Sequence, residues 1–436
     1  MESISGSITD NSGVAGKDGV ERVLLLGLSR HRTPGELDPA ASLLELSSLT
    51  ETAGGQVIRS LMANRDQPDP AHYFGKGKLE EIRGIIEDDG IDLAIIDDEL
   101  SVRQLNQLDE RLPCRVIDRT ALILQIFADH AGTSEGKLQI ELAQLSYMLP
   151  RLAGKGKSLS RLGGGIGTRG PGESRLESDR RHIRRRIGNL KEEIENIKKQ
   201  RSVNRDRRKK NQIPVIALVG YTNAGKSSLL NRLTDAQAPA EDKLFATLDP
   251  LTRKVRLGEA DALLTDTVGF IQQLPHTLIT AFRATMEEAA YADLLIHVVD
   301  SAHQNMEEQI RTVHHVLEDI GCQEKPILHA FNKSDLLPDP LSLQRYLADF
   351  RPSVLISAKT GQGMEDLIKT AGELLPAPTV IRRFFLDQRD GGLLNRFYQT
   401  GSVSQVQYQE DGITGLVTLP LRQAEQFRQY LRDENE

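Results

Sequence analysis

The sequence predicts an α/β protein in several parts, and three patterns carry the prediction. Strand-like apolar runs alternate with helical periodicity twice, over residues 21–118 and 213–376, which is the mark of βαβ units and mainly parallel sheets. Between them, leucines and isoleucines recur at steps of three and four, laying one apolar stripe along each of two long helices. The last stretch, 377–436, turns to an aromatic cluster and a turn-forming Asp-Gly pair. The expected architecture is a small parallel N-terminal α/β domain with a long antiparallel helical hairpin, then a larger α/β domain, then a small C-terminal α+β domain.

In the first unit, "RVLLLGLS" (22–29), "GQVIRSLM" (55–62), "DLAIIDDE" (92–99) and "CRVIDRT" (114–120) read as strands, with helices near 40–52, 77–89 and 101–111. Residues 1–20 are polar and Gly/Ser-rich, without the apolar stretch of a signal peptide, and are expected to be a disordered tail. No apolar run approaches the roughly 20 residues of a membrane helix, so a soluble, cytoplasmic chain is expected. Cys114 and Cys322 stand 208 positions apart without a Cys or His cluster beside either. Neither a disulfide framework nor a zinc site is indicated, and both read as buried spectators.

The hairpin, 119–212, is drawn from Leu138, Leu142, Leu145, Leu149 and Leu152 on one side and Leu176, Ile183, Ile187, Leu190, Ile194 and Ile197 on the other. Its tip is expected to be a loop, 153–172, with eight glycines and the basic residues Lys155, Lys157, Arg161 and Arg169. Gly165, Gly167 and Gly170 match G-x-G-x-x-G there, but no strand precedes them and Pro171 follows, so dinucleotide binding is set aside. Charge singles out the same region. Residues 151–212 carry 20 Lys/Arg against 7 Asp/Glu, a balance of +13, which leaves −20 for the rest of a chain whose net charge is −7. One basic segment in an acidic protein points to nucleic acid contact; the plainer alternative is a solvated charged helix.

In the larger unit, strand-like runs at 215–220, 260–267, 293–300, 326–333 and 353–358 alternate with helices near 226–234, 276–291, 305–320 and 363–375. "GYTNAGKS", Gly220–Ser227, fits G-x-x-x-x-G-K-[ST] between a strand and a helix. That context makes it a P-loop: backbone N-H groups and the helix N-terminus hold phosphate oxygens, Lys226 reaches the β/γ-phosphates, and Ser227 ligates Mg2+. The predicted phosphate-binding set is Gly220, Tyr221, Thr222, Asn223, Ala224, Gly225, Lys226, Ser227 and Ser228. "DTVG" adds Asp266, Thr267, Val268 and Gly269 at the end of the next strand, with Asp266 toward Mg2+ and the Gly269 N-H toward the γ-phosphate. "NKSD" supplies Asn332, Lys333 and Asp335, and "SAK" supplies Ser357, Ala358 and Lys359. A carboxylate at Asp335 matches the N1-H and N2-H2 donors of guanine and would face an acceptor on adenine. Asn332 braces the loop, Lys333 lies along the base and the Ala358 N-H faces O6. Four short motifs in order at successive strand ends predict a Ras-like, guanine-specific P-loop GTPase binding GTP and GDP.

With these motifs in place, the sequence resembles the HflX family of ribosome-associated GTPases over nearly its whole length. The marks are "YFGKGKLEEI" (73–82), "GGIGTRGPGE" (164–173) continuing into "LESDRR" (176–181), "GYTNAGKSSLLNRLT" (220–234), "LFATLDP" (244–250) and "DTVGFI" (266–271). Arg175 is a departure, since the family pattern carries Gln there. The resemblance implies binding to the 50S ribosomal subunit and GTP-linked splitting of 70S ribosomes, often under stress, with the basic tip near the peptidyl transferase region of 23S rRNA. Thr247 in "FATL" looks like the switch threonine that ligates Mg2+, which makes Lys226, Thr247 and Gly269 the expected catalytic set and Ser227, Thr247 and Asp266 the metal set. Thr252 is the competitor and reads as structural. Asn223 stands where several related GTPases hold K+, a further candidate ion. Phe270 follows Gly269 where Ras-like proteins carry the glutamine that orients the attacking water, so slow intrinsic hydrolysis is expected.

Two features are given plain readings. Lys76 and Lys78 in "FGKGK" lie in a glycine turn before a helix, with RNA contact as the competing reading. His314 and His315 lie on an amphipathic helix without a carboxylate at metal-ligand spacing. The competing functions are a large-subunit biogenesis GTPase and a GTP-dependent adaptor for a protein partner.

Overall fold

Strand β1 (Arg22–Ser29) sends its leucines to both faces of a sheet, as a central strand buried on two sides must. The structure, a computed structural model, describes residues 19–29, 38–160, 171–210, 213–234, 244–245, 251–257, 260–272, 286, 288–376, 379–387, 390–409 and 411–432. β1 lies between β2 (Gln56–Asn64) and β3 (Leu93–Ile96), with β4 (Arg115–Asp118) beyond, in the all-parallel order β2-β1-β3-β4. Helices α1 (Pro39–Thr52) and α4 (Arg119–His130) cover the face bearing Val23 and Leu25. Helices α2 (Lys76–Asp89) and α3 (Val102–Arg111) cover the face bearing Leu24 and Leu26. A capping box between Ser101 and Gln104 starts α3.

The hairpin consists of α5 (Ser134–Ser160) and α6 (Pro171–Lys210). Leu190 and Ile194 of α6 are buried on the stripe expected from the spacing, whereas on α5 the expected Leu138, Leu142, Leu145, Leu149 and Leu152 are only partly buried. The buried residues of α5 are Ile140 and Ala143, on a different face that joins the core under α1 and α4. Arg186 clamps the pair through two bonds of 2.7 Å to the Glu141 carboxylate. The helices run further into the tip than the glycines suggest. α5 continues through Gly154 and Gly156 to Ser160 and α6 begins at Pro171, so both ends of the expected loop of 153–172 are helical, and 161–170 lie outside the described residues. Each glycine costs a helix about 1 kcal/mol, less than the gain from extending a helix already nucleated and packed along a long stripe.

The larger domain is a six-stranded sheet in the order β10-β9-β8-β5-β7-β6. Its strands are β5 (Val215–Gly220), β6 (Leu251–Leu257), β7 (Ala260–Asp266), β8 (Leu294–Asp300), β9 (Ile327–Asn332) and β10 (Ser353–Leu355), and β6 alone runs antiparallel to its neighbour. Thr252 lies within β6 and its hydroxyl meets that of Thr265 at 3.0 Å, which suits the structural role expected of it. Helices α7 (Lys226–Leu233), α8 (Met306–Asp319), α9 (Gln344–Asp349) and α10 (Met364–Leu374) flank the sheet. The apolar core under α1 and α4 continues into this domain through Ala217, Val219 and Phe245, and the Phe127 and Phe245 rings meet edge to face at 4.5 Å. The C-terminal unit is an antiparallel sheet of β11 (Thr379–Asp387), β12 (Ser402–Tyr408), β13 (Gly412–Pro420) and β14 (Leu431–Arg432) with helix α11 (Gly391–Thr400). Phe384 and Phe397 fill its core, while Tyr398 is exposed. Both cysteines are free thiols; Cys322 is buried and Cys114 only partly so. Among the described residues no helix is long and apolar enough to cross a membrane.

Candidate functional site

β5 ends at Gly220 and α7 begins at Lys226, so a few residues must carry the chain from strand to helix. Two glycines make the reversal possible. At Gly220 (φ 153°) a Cβ would lie 2.3 Å from the Val298 carbonyl oxygen, and at Gly225 (φ 95°) one would lie 2.2 Å from Asn332 Nδ2. Asn223, also at positive φ (59°), is the exposed member of the loop, and Asn tolerates that conformation better than most residues. Phe270 N-H donates to the Gly220 carbonyl at 3.1 Å and Thr222 N-H donates to the Phe270 carbonyl at 2.8 Å, so the loop and the segment after β7 are zipped together.

The buried Lys226 ammonium donates to the Gly220 and Tyr221 carbonyls at 3.1 and 2.8 Å, which curls the loop around it. Burial pushes its pKa down to about 8, against the pull of the Asp266 carboxylate. Ser227 Oγ donates to Asp266 Oδ2 at 2.7 Å, and the Thr267 hydroxyl donates to the Leu218 carbonyl at 2.7 Å. Val268 is buried, and a Cβ on Gly269 would crowd Thr222 Cγ2 at 2.8 Å and Lys226 Nζ at 3.1 Å. Backbone at Gly269 thus passes closer to the lysine than any other residue type would allow. Phe270 is packed in the core, with its main chain committed to the loop.

The other two motifs converge on the same loop. Asn332 is a two-way brace: its Nδ2 donates to the Ala224 carbonyl at 2.8 Å and its Oδ1 accepts from the Ala358 N-H at 2.9 Å. Lys333 (φ 63°) extends to Asp300 at 2.6 Å. Ser357 Oγ donates to Asp335 Oδ1 at 2.6 Å, holding an exposed carboxylate in one orientation. Arg232 donates to the carbonyls of Ala358 and Lys359, tying α7 to this loop. Ser228 follows in the first turn of α7, partly buried. Thr247, Arg161 and Arg169 lie outside the described residues, and Lys155 and Lys157 fall within α5.

One contact to the site has no signal in the sequence. Tyr221 of the loop donates its hydroxyl to Glu45 of α1 and accepts from the Gln272 N-H at 2.9 Å. Burial holds the Tyr221 phenol well above its ordinary pKa, so it stays a donor. Glu45 and Asp97, at 2.6 Å, both pair with Arg119, which is 1% exposed. The phosphate loop is therefore hydrogen-bonded to the N-terminal domain. A cleft of about 470 Å³ opens beside this contact, lined by Glu45, Tyr221, Thr222, Asn223 and Asp300.

A glycine-shaped loop around a buried lysine, an Asp-Ser pair behind it and a braced Asn-Lys-x-Asp loop on a mainly parallel sheet define a P-loop GTPase. Residues 40–128, 130–208 and 215–333 match the family models described as GTP-binding GTPase N-terminal, GTP-binding GTPase Middle Region and 50S ribosome-binding GTPase. The chain is 48% identical over 394 residues to the GTPase HflX of Lacrimispora saccharolytica, covering 90% of this chain and 92% of that one. It is 42% identical over 382 residues to the GTPase HflX of Escherichia coli (strain K12), covering 87% and 90%. The chain belongs to the HflX family of GTPases. Among solved structures it is similar to a GTP-binding protein from Sulfolobus solfataricus in complex with GDP, with 30% identity, a TM-score of 0.43 and coverage of 81% of this chain and 98% of that one.

Proposed function

We infer that this chain binds the 50S ribosomal subunit and splits 70S ribosomes in a GTP-linked step. The observation that carries the reading is the joining of a guanine-type P-loop to a hairpin whose residues 151–212 carry a net charge of +13, in a chain whose GTPase domain matches the model described as 50S ribosome-binding GTPase. In this reading the loop 220–228 holds the phosphates, Asp335 reads guanine, and Asn332, Lys333, Ser357, Ala358 and Lys359 shape the base pocket. Ser227 Oγ and Asp266 Oδ2, 2.7 Å apart beside a buried ammonium, are hard oxygen donors that fit Mg2+. That ion, with Thr247 as its switch ligand, would neutralise charge on the β- and γ-phosphates. Potassium at Asn223 belongs to the same proposal. Phe270, packed away from solvent, cannot orient water, so hydrolysis waits on a partner or an ion. The hairpin carries Lys155, Lys157, Arg161 and Arg169 toward 23S rRNA near the peptidyl transferase region, where their phosphate contacts weaken with salt.

Sedimentation of 70S ribosomes with the full chain and GTP, or a non-hydrolysable analogue, tests this. The expected result is loss of the 70S peak into 50S and 30S, with the chain on the 50S fraction. Shortening 161–170 to a few residues should impair splitting while GDP binding is retained, because the phosphate loop lies in another domain. An intact 70S peak overturns splitting. Association with immature large subunits alone would favour the biogenesis reading, and association with no particle would favour the adaptor.

The lysine makes a separate prediction. A Lys whose pKa in the free protein is held near 8 by burial regains its charge when phosphate oxygens replace lost water, so nucleotide binding takes up a proton. GDP affinity should be flat from pH 6.5 to 7.5 and fall above pH 8, by up to about tenfold per pH unit. Calorimetric titrations from pH 7 to 9.5 would show it; affinity independent of pH through that range would count against a phosphate contact at Lys226.

A further inference from the structure

β8 and β9 turn one face toward α8, and most of that face is apolar. Leu295 packs with Val313, Val316 and Leu317, and Val299 packs with Met306 and Ile310. Between these two clusters the alternation of β8 places His297, and the parallel register sets His329 of β9 directly beside it. α8 closes the face with His314. His297 and His329 are 1% and 5% exposed, while His314 is half-buried. The three rings stand 5.3–5.4 Å apart, centroid to centroid. His314 Nε2 and His329 Nε2 approach to 3.1 Å, and one ring nitrogen from each histidine lies within 4.8 Å of the others.

As core histidines these residues are poorly served. A neutral imidazole carries one donor and one acceptor; the contact between His314 and His329 uses one nitrogen of each, and the backbone of Phe350 and Pro352 lies beside the His329 ring. His297 Nδ1 and His329 Nδ1 are buried without a hydrogen-bond partner among the described residues. Three imidazoles interrupt an apolar interface with one ring nitrogen of each gathered within 4.8 Å of the others, a set of donors fit for another occupant.

We propose that His297, His314 and His329 bind a divalent transition metal of the zinc class, with a fourth position left to water on the His314 side. The donor set selects the metal. Three imidazoles and no carboxylate suit Zn2+, Ni2+ or Cu2+ and not Mg2+, Ca2+ or Mn2+. Zinc–nitrogen bonds of about 2.0–2.1 Å at tetrahedral angles put ligand nitrogens about 3.3 Å apart, close to the 3.1 Å between His314 and His329. The other edges of the triangle, up to 4.8 Å, would shorten on binding. Burial lowers the pKa of all three, that of His329 to about 4, so a metal meets imidazoles already free of protons at neutral pH. His314, half-buried on its helix, gives an entry path.

Position gives the site a consequence. His297 precedes Val298, whose carbonyl faces Gly220 of the phosphate loop, and His329 lies three residues before Asn332. A metal here pins β8, β9 and α8 together behind the nucleotide site without touching it.

The test uses the full chain, stripped with chelator and then saturated with GDP and Mg2+ so that the nucleotide site is filled. Zn2+ alone is titrated by calorimetry, and metal content is read by elemental analysis after dialysis. One zinc per chain is expected. His314→Gln should weaken binding by about 100-fold or more, beyond the 10–100-fold typical of residues that merely support a ligand, while His315→Gln, on the exposed neighbour, should leave it unchanged. GDP affinity of each variant reports that the fold is intact, and zinc-induced shifts of the histidine ring resonances in the unmutated chain give a reading that needs no variant. Absence of stoichiometric zinc, binding that survives His314→Gln, or ring shifts confined to other histidines would overturn the proposal.

Discussion

Replacing Asp335 with Asn is expected to exchange guanine for xanthine as the preferred base. Ser357 Oγ holds Asp335 Oδ1 at 2.6 Å, so the side chain is already oriented and an amide of the same shape can occupy its place. The amide keeps one acceptor for N1-H, which both bases carry, and presents a donor where the second carboxylate oxygen accepts, which suits the carbonyl at C2 of xanthine and opposes the N2-H2 of guanine. Each unpaired group costs on the order of 1–3 kcal/mol, so the ratio of GDP to XDP affinity should move by at least about tenfold. Competition binding with both nucleotides measures it, and an unchanged GDP preference would refute the role given to Asp335.

The buried Arg119 should be the costliest single loss outside the nucleotide site. Its guanidinium lies between Glu45 and Asp97, whose side chains are 10% and 6% exposed. Arg119→Met leaves two buried carboxylates facing one another without a cation. Breaking a buried pair in this way costs about 3–5 kcal/mol. The denaturation midpoint should fall accordingly, and adding Glu45→Gln and Asp97→Asn should restore much of the loss, because it removes the stranded charges as well. A loss below about 1 kcal/mol for Arg119→Met would mean that the two carboxylates find other partners.

The candidate nucleotide site stands out in the sequence because phosphate-binding chemistry forces neighbouring residues into fixed spacing. A loop that wraps a phosphate must place Gly220, Gly225 and Lys226 within one short segment, and the brace from Asn332 to Ala224 joins motifs that each stand at a strand end. Parallel strands were equally plain, since burial on both faces makes them continuous apolar runs. What escaped was partnership across long separations. Nothing near Glu45 announces Tyr221, which is 176 positions away. His314 carried no metal-like spacing because its companions His297 and His329 come from two strands set side by side by register. The tip of the hairpin misled for a local reason: glycines at 154 and 156 resemble a loop but ride on a helix already paid for by the leucines before them.

Helix α6 has 40 residues, about 60 Å at 1.5 Å per residue, and the chain passes from its end into β5, the strand that terminates in the phosphate loop. Mechanically this is a lever arm with its fulcrum near the core. A tilt of one degree at the base carries the far end through about 1 Å, so a five-degree adjustment becomes a sweep of about 5 Å over a rise of that length. The Arg186–Glu141 clamp and the buried Leu190 and Ile194 keep the two helices from sliding past each other, so the arm turns before it bends. Over that length a small rotation at the base is a large displacement at the far end.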